Sequence, residues 1–407
     1  MMARCWIVSE YYYPVVVTTG YYVTEIADYF SAKDLNVGVI TSNNTYYKSD
    51  ISSSLKYEIH NKIEVFRIVK KQIDKDKNIK RIFRLLSLSL SLFWKSISHI
   101  KKGDVVIVLT NPAFFILFMP LVRLITKCSY HILVHDIFPE NLVSLGKVNK
   151  DGLKYRLLKK TFDRAYSRAD SCISTGQDMR EVLIGKTKGV NPVSLITNWA
   201  DVTEVQPCQK EQTKTFSRIK DWAKNSIVFQ FAGNLGKAQG LDNLLSAIDM
   251  VKDENAKFLF VGAGAKLDDI NSFAEHHSNT MSLGFVDRSE QNDFLNACDV
   301  GVVTLADGMY GLGVPSKSYN IMATGKPILY IGEKDSEIAL RIQEYGIGWI
   351  VEPNNPIQLS EVIEEIIKKP SDIHEKGQIA LSVANTVFAK EIVLEQYYQF
   401  VISKING

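Results

Sequence analysis

The residues best suited to chemistry lie between Gly311 and Pro327, which read Gly-Leu-Gly-Val-Pro-Ser-Lys-Ser-Tyr-Asn-Ile-Met-Ala-Thr-Gly-Lys-Pro. The two leading glycines favour a tight loop, and Pro315 with Ser316 is typical of a helix start. Free N–H groups at a helix start, with Lys317 in its first turn, attract an anion such as phosphate. The alternative is an ordinary strand–loop–helix connection with a solvated lysine.

Two further glycine loops follow apolar runs in the same half of the chain. Residues 227–232 lead into Gly233-Asn234-Leu235-Gly236-Lys237-Ala238-Gln239-Gly240, and residues 258–261 lead into Gly262-Ala263-Gly264. Loops at the carboxyl ends of parallel strands share one edge of the sheet, where ligands of open α/β sheets bind. We therefore expect the three loops to form a phosphate site, with Lys237 as a second cation.

His135 and Asp136 follow another apolar run, residues 130–134. A His-Asp pair at the carboxyl end of a strand could orient a hydroxyl and accept its proton. A pair that only satisfies local backbone groups is the alternative.

Short apolar runs alternate with segments of helical spacing, which predicts an α/β protein with two Rossmann-like halves. The first half opens with a strand at residues 5–9, a helix at 21–32 and a strand at 37–41. It lacks the Gly-x-Gly-x-x-Gly fingerprint, so a dinucleotide there is not expected. We place the domains at residues 1–202 and 203–385, with 386–407 as a terminal helix that returns to the first domain.

Charge is divided unevenly along the 407 residues. Residues 1–200 hold 29 lysines and arginines against 17 acidic residues, a net charge of +12, and the remainder carries −9. The basic half suggests an anionic partner: a membrane surface, a phosphorylated acceptor or nucleic acid. Five scattered cysteines suggest a reducing compartment without a metal or disulfide framework, and no signal peptide is expected.

A basic stretch introduces a second candidate interface. Lysines and arginines between Lys70 and Arg84 precede apolar residues at helical spacing: Ile79, Phe83, Leu86, Leu90, Phe93 and Ile97. A helix with a cationic start and a broad apolar face suits a membrane surface, although it is too polar to span one. A core helix with a solvated basic flank is the alternative.

The chain resembles the family 4 glycosyltransferases. The resemblance rests on Gly233-Asn234-Leu235-Gly236 with Gln239-Gly240-Leu241, Gly262-x-Gly264, Leu283-Gly284, and Val314-Pro315-Ser316-Lys317 with Met322-Ala323-x-Gly325-Lys326-Pro327. The Pro-Ser-Lys form is similar to a branch that builds bacterial surface polysaccharides, such as O-antigen fucosaminyltransferases and colanic-acid transferases. Asn198-Trp199-Ala200-Asp201 and His135-Asp136-x-x-Pro139-Glu140 sit where that branch has similar segments.

The resemblance implies the GT-B architecture, two Rossmann-like domains facing across a cleft, with the nucleotide sugar in the second domain. It implies a retaining reaction that needs no metal and no cofactor besides the UDP-sugar co-substrate. The catalytic residues would be His135, Asp136 and Lys237. The donor-binding residues would be Gly20, Gly233, Asn234, Lys237, Gln239, Gly264, Phe285, Val286, Gly313, Val314, Pro315, Ser316, Lys317 and Asn320.

The chain departs from the family pattern at charged positions. Leu312 and Asn320 stand where many members carry two glutamates, and Asn234 and Gln239 stand where many carry an arginine and a lysine. We therefore hypothesise that Lys237 and Lys317 supply the charge that the diphosphate needs.

The implied function is transfer of a sugar, an N-acetylated hexosamine or 6-deoxy-hexosamine, from a UDP-sugar to a polyprenyl-diphosphate-linked glycan acceptor. This would serve O-antigen (lipopolysaccharide), capsule or exopolysaccharide synthesis. The protein would lie on the cytoplasmic face of the inner membrane, as a monomer or homodimer, without nucleic acid. The alternatives are a UDP-sugar 2-epimerase of the same architecture and a degenerate transferase that acts as a binding partner.

Overall fold

The computed structural model describes residues 3–15, 17–45, 53–70 and 78–406, and the side chains of 78–81 also lie outside that description. The basic run at 71–77 and the side chain of Ile79 are therefore not described. The chain divides into unit 1, Met1–Ile196 with Leu394–Gly407, and unit 2, Thr197–Val393. The first boundary lies before Asn198-Trp199-Ala200-Asp201, whereas the sequence placed it after residue 202, so this segment belongs to unit 2.

In the described part of unit 1, eight strands form one sheet in the order β3-β4-β2-β1-β5-β6-β7-β8. Only the edge pair β3–β4 is antiparallel. The strands are β1 (Cys5–Val8), β2 (Val37–Ser42), β3 (Tyr57–His60), β4 (Ile63–Ile68), β5 (Val105–Leu109), β6 (Ser129–Val134), β7 (Ser171–Ser174) and β8 (Val193–Leu195).

The helices of unit 1 cover both faces of this sheet, so its inner strands are continuous apolar runs rather than alternating ones. β5 illustrates this, since all five of its residues are buried. The helices are α1 (Thr18–Ala32), α2 (Asn78–His99), α3 (Met119–Thr126), α4 (Glu140–Ser144), α5 (Leu153–Tyr166) and α6 (Gln177–Thr187), with a 3-10 turn at Ala113–Leu117.

Unit 2 contains a parallel six-stranded sheet in the order β11-β10-β9-β12-β13-β14. Its elements in chain order are α7 (Lys214–Ala223), β9 (Ile227–Ala232), α8 (Leu241–Met250), β10 (Ala256–Val261), α9 (Leu267–His276), β11 (Thr280–Gly284), α10 (Gln291–Asn296), β12 (Val300–Thr304), α11 (Lys317–Ala323), β13 (Ile328–Ile331), α12 (Glu337–Tyr345), β14 (Gly348–Val351), α13 (Pro356–Lys368) and α14 (Pro370–Thr386). α15 (Lys390–Ile405) begins in unit 2 and continues into unit 1.

Several element boundaries differ from the sequence prediction. β1 ends at Val8 and not at residue 9, and α1 begins at Thr18 and not at residue 21. β11 ends at Gly284 and leaves Phe285 and Val286 in a loop. A 3-10 turn, Arg288–Glu290, and the short α10 follow. Gly311 has a positive φ of 64°, whereas Gly313 is not among the positive-φ residues, so only the first glycine needs its conformational freedom.

The apolar residues of α2 do not all face the core. Leu88, Leu92 and Phe93 are buried, whereas Phe83 and Leu90 are 72% and 47% exposed. The apolar face that the sequence predicts for α2 therefore includes the buried Phe93 but also residues that are exposed, such as Phe83 and Leu90. Among the described residues, no helix is long and apolar enough to cross a membrane.

Candidate functional site

The first two glycine loops of unit 2 are bonded to each other at the carboxyl ends of β9 and β10. The amide of Gly233 donates to the carbonyl of Val261 (2.8 Å), and the amide of Leu235 donates to that of Ala263 (2.9 Å). Gly262 has a φ of 148°, and a Cβ there would overlap the carbonyl oxygen of Gly233. The two loops meet backbone to backbone because no side chain separates them.

The loop before α11 places Lys317 beside the Gly233 loop at the end of β9. Its ammonium donates to Gln239 Oε1 (3.3 Å) and lies 3.6 Å from the ring centroid of Phe231 on β9. A Cβ on Gly233 would lie 3.1 Å from Lys317 Nζ. Burial lowers the pKa of Lys317 to about 7. The structure thus places Lys317, Gly233 and Gln239 together, as the sequence predicted for the loops.

Two more bonds tie the Gly233 loop to the end of β12. Thr304 Oγ1 donates to the carbonyl of Gln239 (2.7 Å), and the amide of Ala306 donates to the carbonyl of Ala238 (2.9 Å). Asn234 and Lys237 are exposed on this loop. In the described part of the chain, Lys237 has no carboxylate within ion-pair distance. Thr304 was not found from the sequence, because a threonine at the end of a strand carries no distinguishing pattern.

The start of α11 differs in one detail from the expected helix start. Ser316 occupies the N-cap position, but its hydroxyl makes no capping bond. Ser318 does not replace this cap, because its Oγ donates to the carbonyl of Pro315 (2.8 Å) rather than accepting from a backbone N–H. Gly313, Val314, Pro315 and Ser316 are half-buried in this loop, and Leu312 is buried.

Asn320 on α11 is already hydrogen-bonded within unit 2. Its Oδ1 accepts from the backbone amide of Asp201 (3.0 Å), and its Nδ2 donates to Gln291 Oε1 (3.2 Å). The residue is only 9% exposed. An amide fits between a donor and an acceptor, which a carboxylate does not. Asn320 therefore holds the Asn198–Asp201 segment to α11, and neither Asp201 nor Gln291 was found from the sequence.

The other donor-binding candidates lie at the ends of β10 and β11. Gly264 has a φ of 157°, and a Cβ there would lie 2.5 Å from the carbonyl of Leu235. Phe285 follows Gly284 and is 51% exposed, while Val286 packs partly against the core. Phe285 thus presents an aromatic surface at the sheet edge where the glycine loops meet.

His135 and Asp136 follow β6 in unit 1. Both backbone amides donate to Thr110 Oγ1 at the end of β5, at 3.2 and 3.3 Å. The Tyr22 ring meets the His135 ring edge-on, with centroids 6.1 Å apart. Burial lowers the pKa of His135 to about 4, so the imidazole is neutral at pH 7.

Asp136 as a residue is exposed to solvent, but its carboxyl group is surrounded by protein atoms and is poorly solvated. This desolvation raises the pKa of Asp136 to about 6. The carboxyl is therefore mostly ionised at pH 7, and of the pair it is the better proton acceptor for a hydroxyl.

Gly20 lies in the first turn of α1, at the carboxyl end of β1. A Cβ on Gly20 would overlap the carbonyl oxygen of Val15. Thr24 Oγ1 donates to the carbonyl of Gly20 (2.8 Å) and accepts from the amide of Tyr13 (3.0 Å). These contacts keep Tyr13 and Val15 close to α1.

Glu10 is a functional candidate that sequence reasoning missed. Its side chain is buried at the end of β1, where Oε1 accepts from Arg84 (2.8 Å) and from Asn44 (2.9 Å). A lone glutamate in a tyrosine-rich loop gave no signal, because both partners are distant in sequence. Across the described residues, no group of three or more His, Cys, Asp or Glu side chains could hold a metal ion.

Comparisons with known proteins agree on the class. The Glycosyl transferases group 1 profile matches residues 212–380. The chain is 38% identical to the probable glycosyltransferase WbjE of Pseudomonas aeruginosa over 403 residues, 97% of each protein. It is 23% identical to the putative colanic acid biosynthesis glycosyl transferase WcaI of Escherichia coli, covering 97% of this chain and 98% of that protein.

The fold is similar to that of Anabaena Alr3699/HepE, solved in complex with UDP-glucose. The TM-score is 0.72 at 14% identity, covering 99% of this chain and all (100%) of that one. The two α/β units with their parallel sheets thus have the GT-B architecture. The chain belongs to the group 1 glycosyltransferases, and the protein is a glycosyltransferase.

Proposed function

We propose that this glycosyltransferase moves a sugar from a UDP-sugar to a polyprenyl-diphosphate-linked glycan in bacterial surface-polysaccharide synthesis. The donor sugar is an N-acetylated hexosamine or 6-deoxy-hexosamine, and the reaction retains the anomeric configuration without a metal. The names of the relatives support the pathway, since WcaI is named for colanic acid biosynthesis. HepE, which shares the fold, was solved with UDP-glucose.

The observation that carries the proposal is the Lys317 ammonium among the glycine loops of unit 2. Within the described residues, no carboxylate lies within ion-pair distance of Lys317. A desolvated cation without a counter-charge is unfavourable, so a bound anion stabilises it. A nucleoside diphosphate ester fits because Gly233 is exposed and has no side chain, so a ligand can approach its backbone beside Lys317 Nζ.

The remaining donor contacts follow from the same sheet edge. The exposed ring of Phe285 offers a stacking surface for the uracil base. Asn320 Oδ1 keeps a second lone pair, so it can accept from a ribose hydroxyl while it holds Asp201. Lys237 and Lys317 together offset the charge that develops on the departing diphosphate, which is the largest stabilisation such a site provides.

Unit 1 supplies the acceptor groups in this proposal. Asp136 accepts the proton of the acceptor hydroxyl, and neutral His135 orients that hydroxyl or the donor sugar. The row of exposed apolar residues on α2, with the basic stretch before it, holds the protein on the cytoplasmic face of the membrane.

The first experiment is thermal unfolding with UDP, GDP, UDP-GlcNAc and NAD in the presence of EDTA. A ligand at about 100 times its dissociation constant adds about 2.7 kcal/mol to the free energy of unfolding. We expect UDP and UDP-GlcNAc to raise the melting temperature and NAD to leave it unchanged. A shift with NAD alone, or a shift that needs divalent metal, contradicts the proposal.

The lysine hypothesis is tested with the double variant Lys237→Ala/Lys317→Ala, which we expect to lose the UDP-dependent shift. The matched control is Lys334→Ala/Lys368→Ala, which removes two exposed lysines from the same unit and changes its net charge equally. Equal UDP affinity in both double variants would show that the diphosphate lies elsewhere.

Product analysis separates the two alternatives. A 2-epimerase converts UDP-GlcNAc alone into its C2 epimer, whereas a transferase needs an acceptor. A degenerate transferase binds acceptor-bearing membranes and releases no UDP from any UDP-sugar.

A further inference from the structure

A second cationic pocket lies in unit 1, between the carboxyl ends of β2 and β4 and the first turns of α2. It encloses about 210 Å³ and is lined by Asn44, Ile68, Lys70, Phe83, Arg84, Ser87 and Leu88. That volume exceeds the space of a single water molecule several-fold. Nothing in the donor site accounts for this pocket, because all its residues belong to unit 1.

The pocket contains two cations in different states. Arg84 is paired with the buried carboxylate of Glu10, and its Nε has no hydrogen-bond partner. The Lys70 ammonium donates to the carbonyl and Oγ of Ser87, at 2.8 and 2.7 Å. In the described part of unit 1, Lys70 has no carboxylate within ion-pair distance. Partial burial lowers the pKa of Lys70, and a bound anion would oppose that change.

The backbone around Lys70 is fixed rather than a free loop end. Asn43 accepts from the amide of Lys70 (3.0 Å) and donates to its carbonyl (3.1 Å). This reciprocal pair joins the loop after β4 to the loop after β2. The position from which the lysine side chain extends is therefore set by two strands of the sheet.

An exposed apolar row on α2 starts at this pocket. Its members are Ile82, Phe83, Leu86, Leu90 and Trp94, exposed by 49, 72, 42, 47 and 61%. Phe83 belongs to both the row and the pocket lining. From Phe83 to Trp94 the row extends for about 16 Å at 1.5 Å per residue. Tryptophan at one end suits the boundary between lipid and water.

The sequence that leads into the row has a charge that suits an anionic surface. The sequence between residues 70 and 84 contains seven lysines and arginines against two aspartates. Basic residues that adjoin an amphipathic helix in sequence attract anionic lipid. A lipid with a phosphate headgroup matches both features, because its phosphate suits the cationic pocket and its hydrocarbon chain suits the apolar row.

The position of the pocket favours a phosphate that carries sugars. The sheet order places β2 three strands from β6, so the pocket lies roughly 14 Å from the end of β6 at ~4.8 Å per strand. A phosphate at Lys70 cannot itself contact His135 and Asp136. A glycan attached to that phosphate would have to extend along the carboxyl edge of the sheet to reach them.

We propose that this pocket binds the diphosphate of the polyprenyl-linked acceptor, with the exposed row of α2 lying in the bilayer beside it. The inference rests on the proposed lipid-linked acceptor and specifies where its headgroup docks. Arg84 and Lys70 contact the phosphates, and Glu10 is a positioning residue that orients Arg84.

The test is binding of the full chain to vesicles of phosphatidylcholine containing either polyprenyl diphosphate or phosphatidylglycerol, matched for surface charge. Hydrogen bonds between charged groups are worth about 1.5–3 kcal/mol, so we expect about tenfold or greater preference for the diphosphate vesicles. Lys70→Ala should abolish this preference while keeping the melting temperature. The control is Lys102→Ala, an exposed lysine of the same unit.

The apolar row is tested separately. Phe83→Ser/Leu90→Ser should weaken binding to both vesicle types, whereas Leu153→Ser, on a more exposed leucine of α5, should not. Inorganic pyrophosphate should compete only with diphosphate vesicles. Equal affinity of the wild-type protein for both vesicle types overturns the proposal. It is also overturned if the Phe83→Ser/Leu90→Ser variant loses a concentration-dependent dimer but keeps its vesicle binding.

The outcome is independent of the donor experiment. A UDP-dependent melting shift without diphosphate preference refutes the pocket and leaves the transferase function in place. Diphosphate preference without any UDP-sugar binding supports the pocket and refutes the proposed donor.

Discussion

If Lys317 binds the donor diphosphate as proposed, the affinity for the donor should depend on pH. Burial lowers the pKa of Lys317 to about 7 in the empty protein, and a bound diphosphate favours the charged form and raises that pKa. Affinity for UDP-GlcNAc should therefore be highest below pH 7 and should fall by up to tenfold per pH unit above it. Calorimetry in buffers of different ionisation enthalpy should detect proton uptake near neutral pH.

The control for this prediction is Lys317→Arg, because guanidinium stays charged over the whole range. Its affinity should be independent of pH between about pH 6 and about pH 8.5. If the wild-type and Arg variants show the same pH profile, another group is responsible and Lys317 does not contact the diphosphate.

The contact between the glycine loops predicts a large cost for one methyl group. Gly262→Ala adds a Cβ that overlaps the Gly233 carbonyl at a φ of 148°. We expect a loss of about 2–5 kcal/mol in the free energy of unfolding. Gly346→Ala, at a φ of 73° with open space around it, should cost about 1–2 kcal/mol. Denaturant titration of both variants measures these losses. Equal losses in Gly262→Ala and Gly346→Ala would contradict the prediction that the overlap with Gly233 adds to the backbone strain.

At the residue scale, the sequence predicted the local parts of the site and not its long-range partners. Lys317 and the glycine loops were found because a glycine loop, a helix start and a cation are adjacent in the chain. The bond from Asp201 to Asn320 joins residues 119 positions apart. No local pattern encodes such a partner, so the structural role of Asn320 could not be inferred.

Among the elements, α7 depends on a carboxylate from α10. Asp293 accepts from the backbone amides of Lys214 and Thr215, at 2.7 and 2.8 Å, and from Thr215 Oγ1 (2.6 Å). Burial alone would raise the pKa of Asp293, but the bonds from Thr215 and Lys214 outweigh it and lower the pKa. Asp293→Ala should therefore cost about 1–3 kcal/mol.

The pH dependence of that contribution has a definite sign. Because the folded pKa lies below the unfolded value of 3.8, the stabilisation is present above pH 3.8 and disappears as the pH falls through the folded pKa. Acid titration of unfolding should show a smaller slope in Asp293→Ala than in wild type. An unchanged slope in Asp293→Ala would contradict this prediction.

Element types were easier to predict than element faces. The buried parallel strand β9 was found with the observed bounds, because both of its faces are covered and its apolar run is nearly unbroken. The periodicity of α2 predicted a helix, but it did not indicate which of its apolar residues face the core. Leu88 and Leu92 are buried while Leu86 and Leu90 are exposed, a choice made by the packing of neighbouring elements.

For the whole molecule, the uneven charge predicts two different responses to salt. In the proposed function, the basic half meets anionic lipid through exposed charges, whereas the donor diphosphate meets Lys317 among the glycine loops. Between about 0.1 M and about 1 M salt the screening length falls from about 10 Å to about 3 Å, and exposed pairs lose more than buried ones. Vesicle binding should therefore weaken steeply over this range, and UDP-GlcNAc affinity much less. Both are measured on one preparation, so each serves as the other's control. Parallel losses would mean that exposed charges such as Lys237, rather than Lys317, hold the donor.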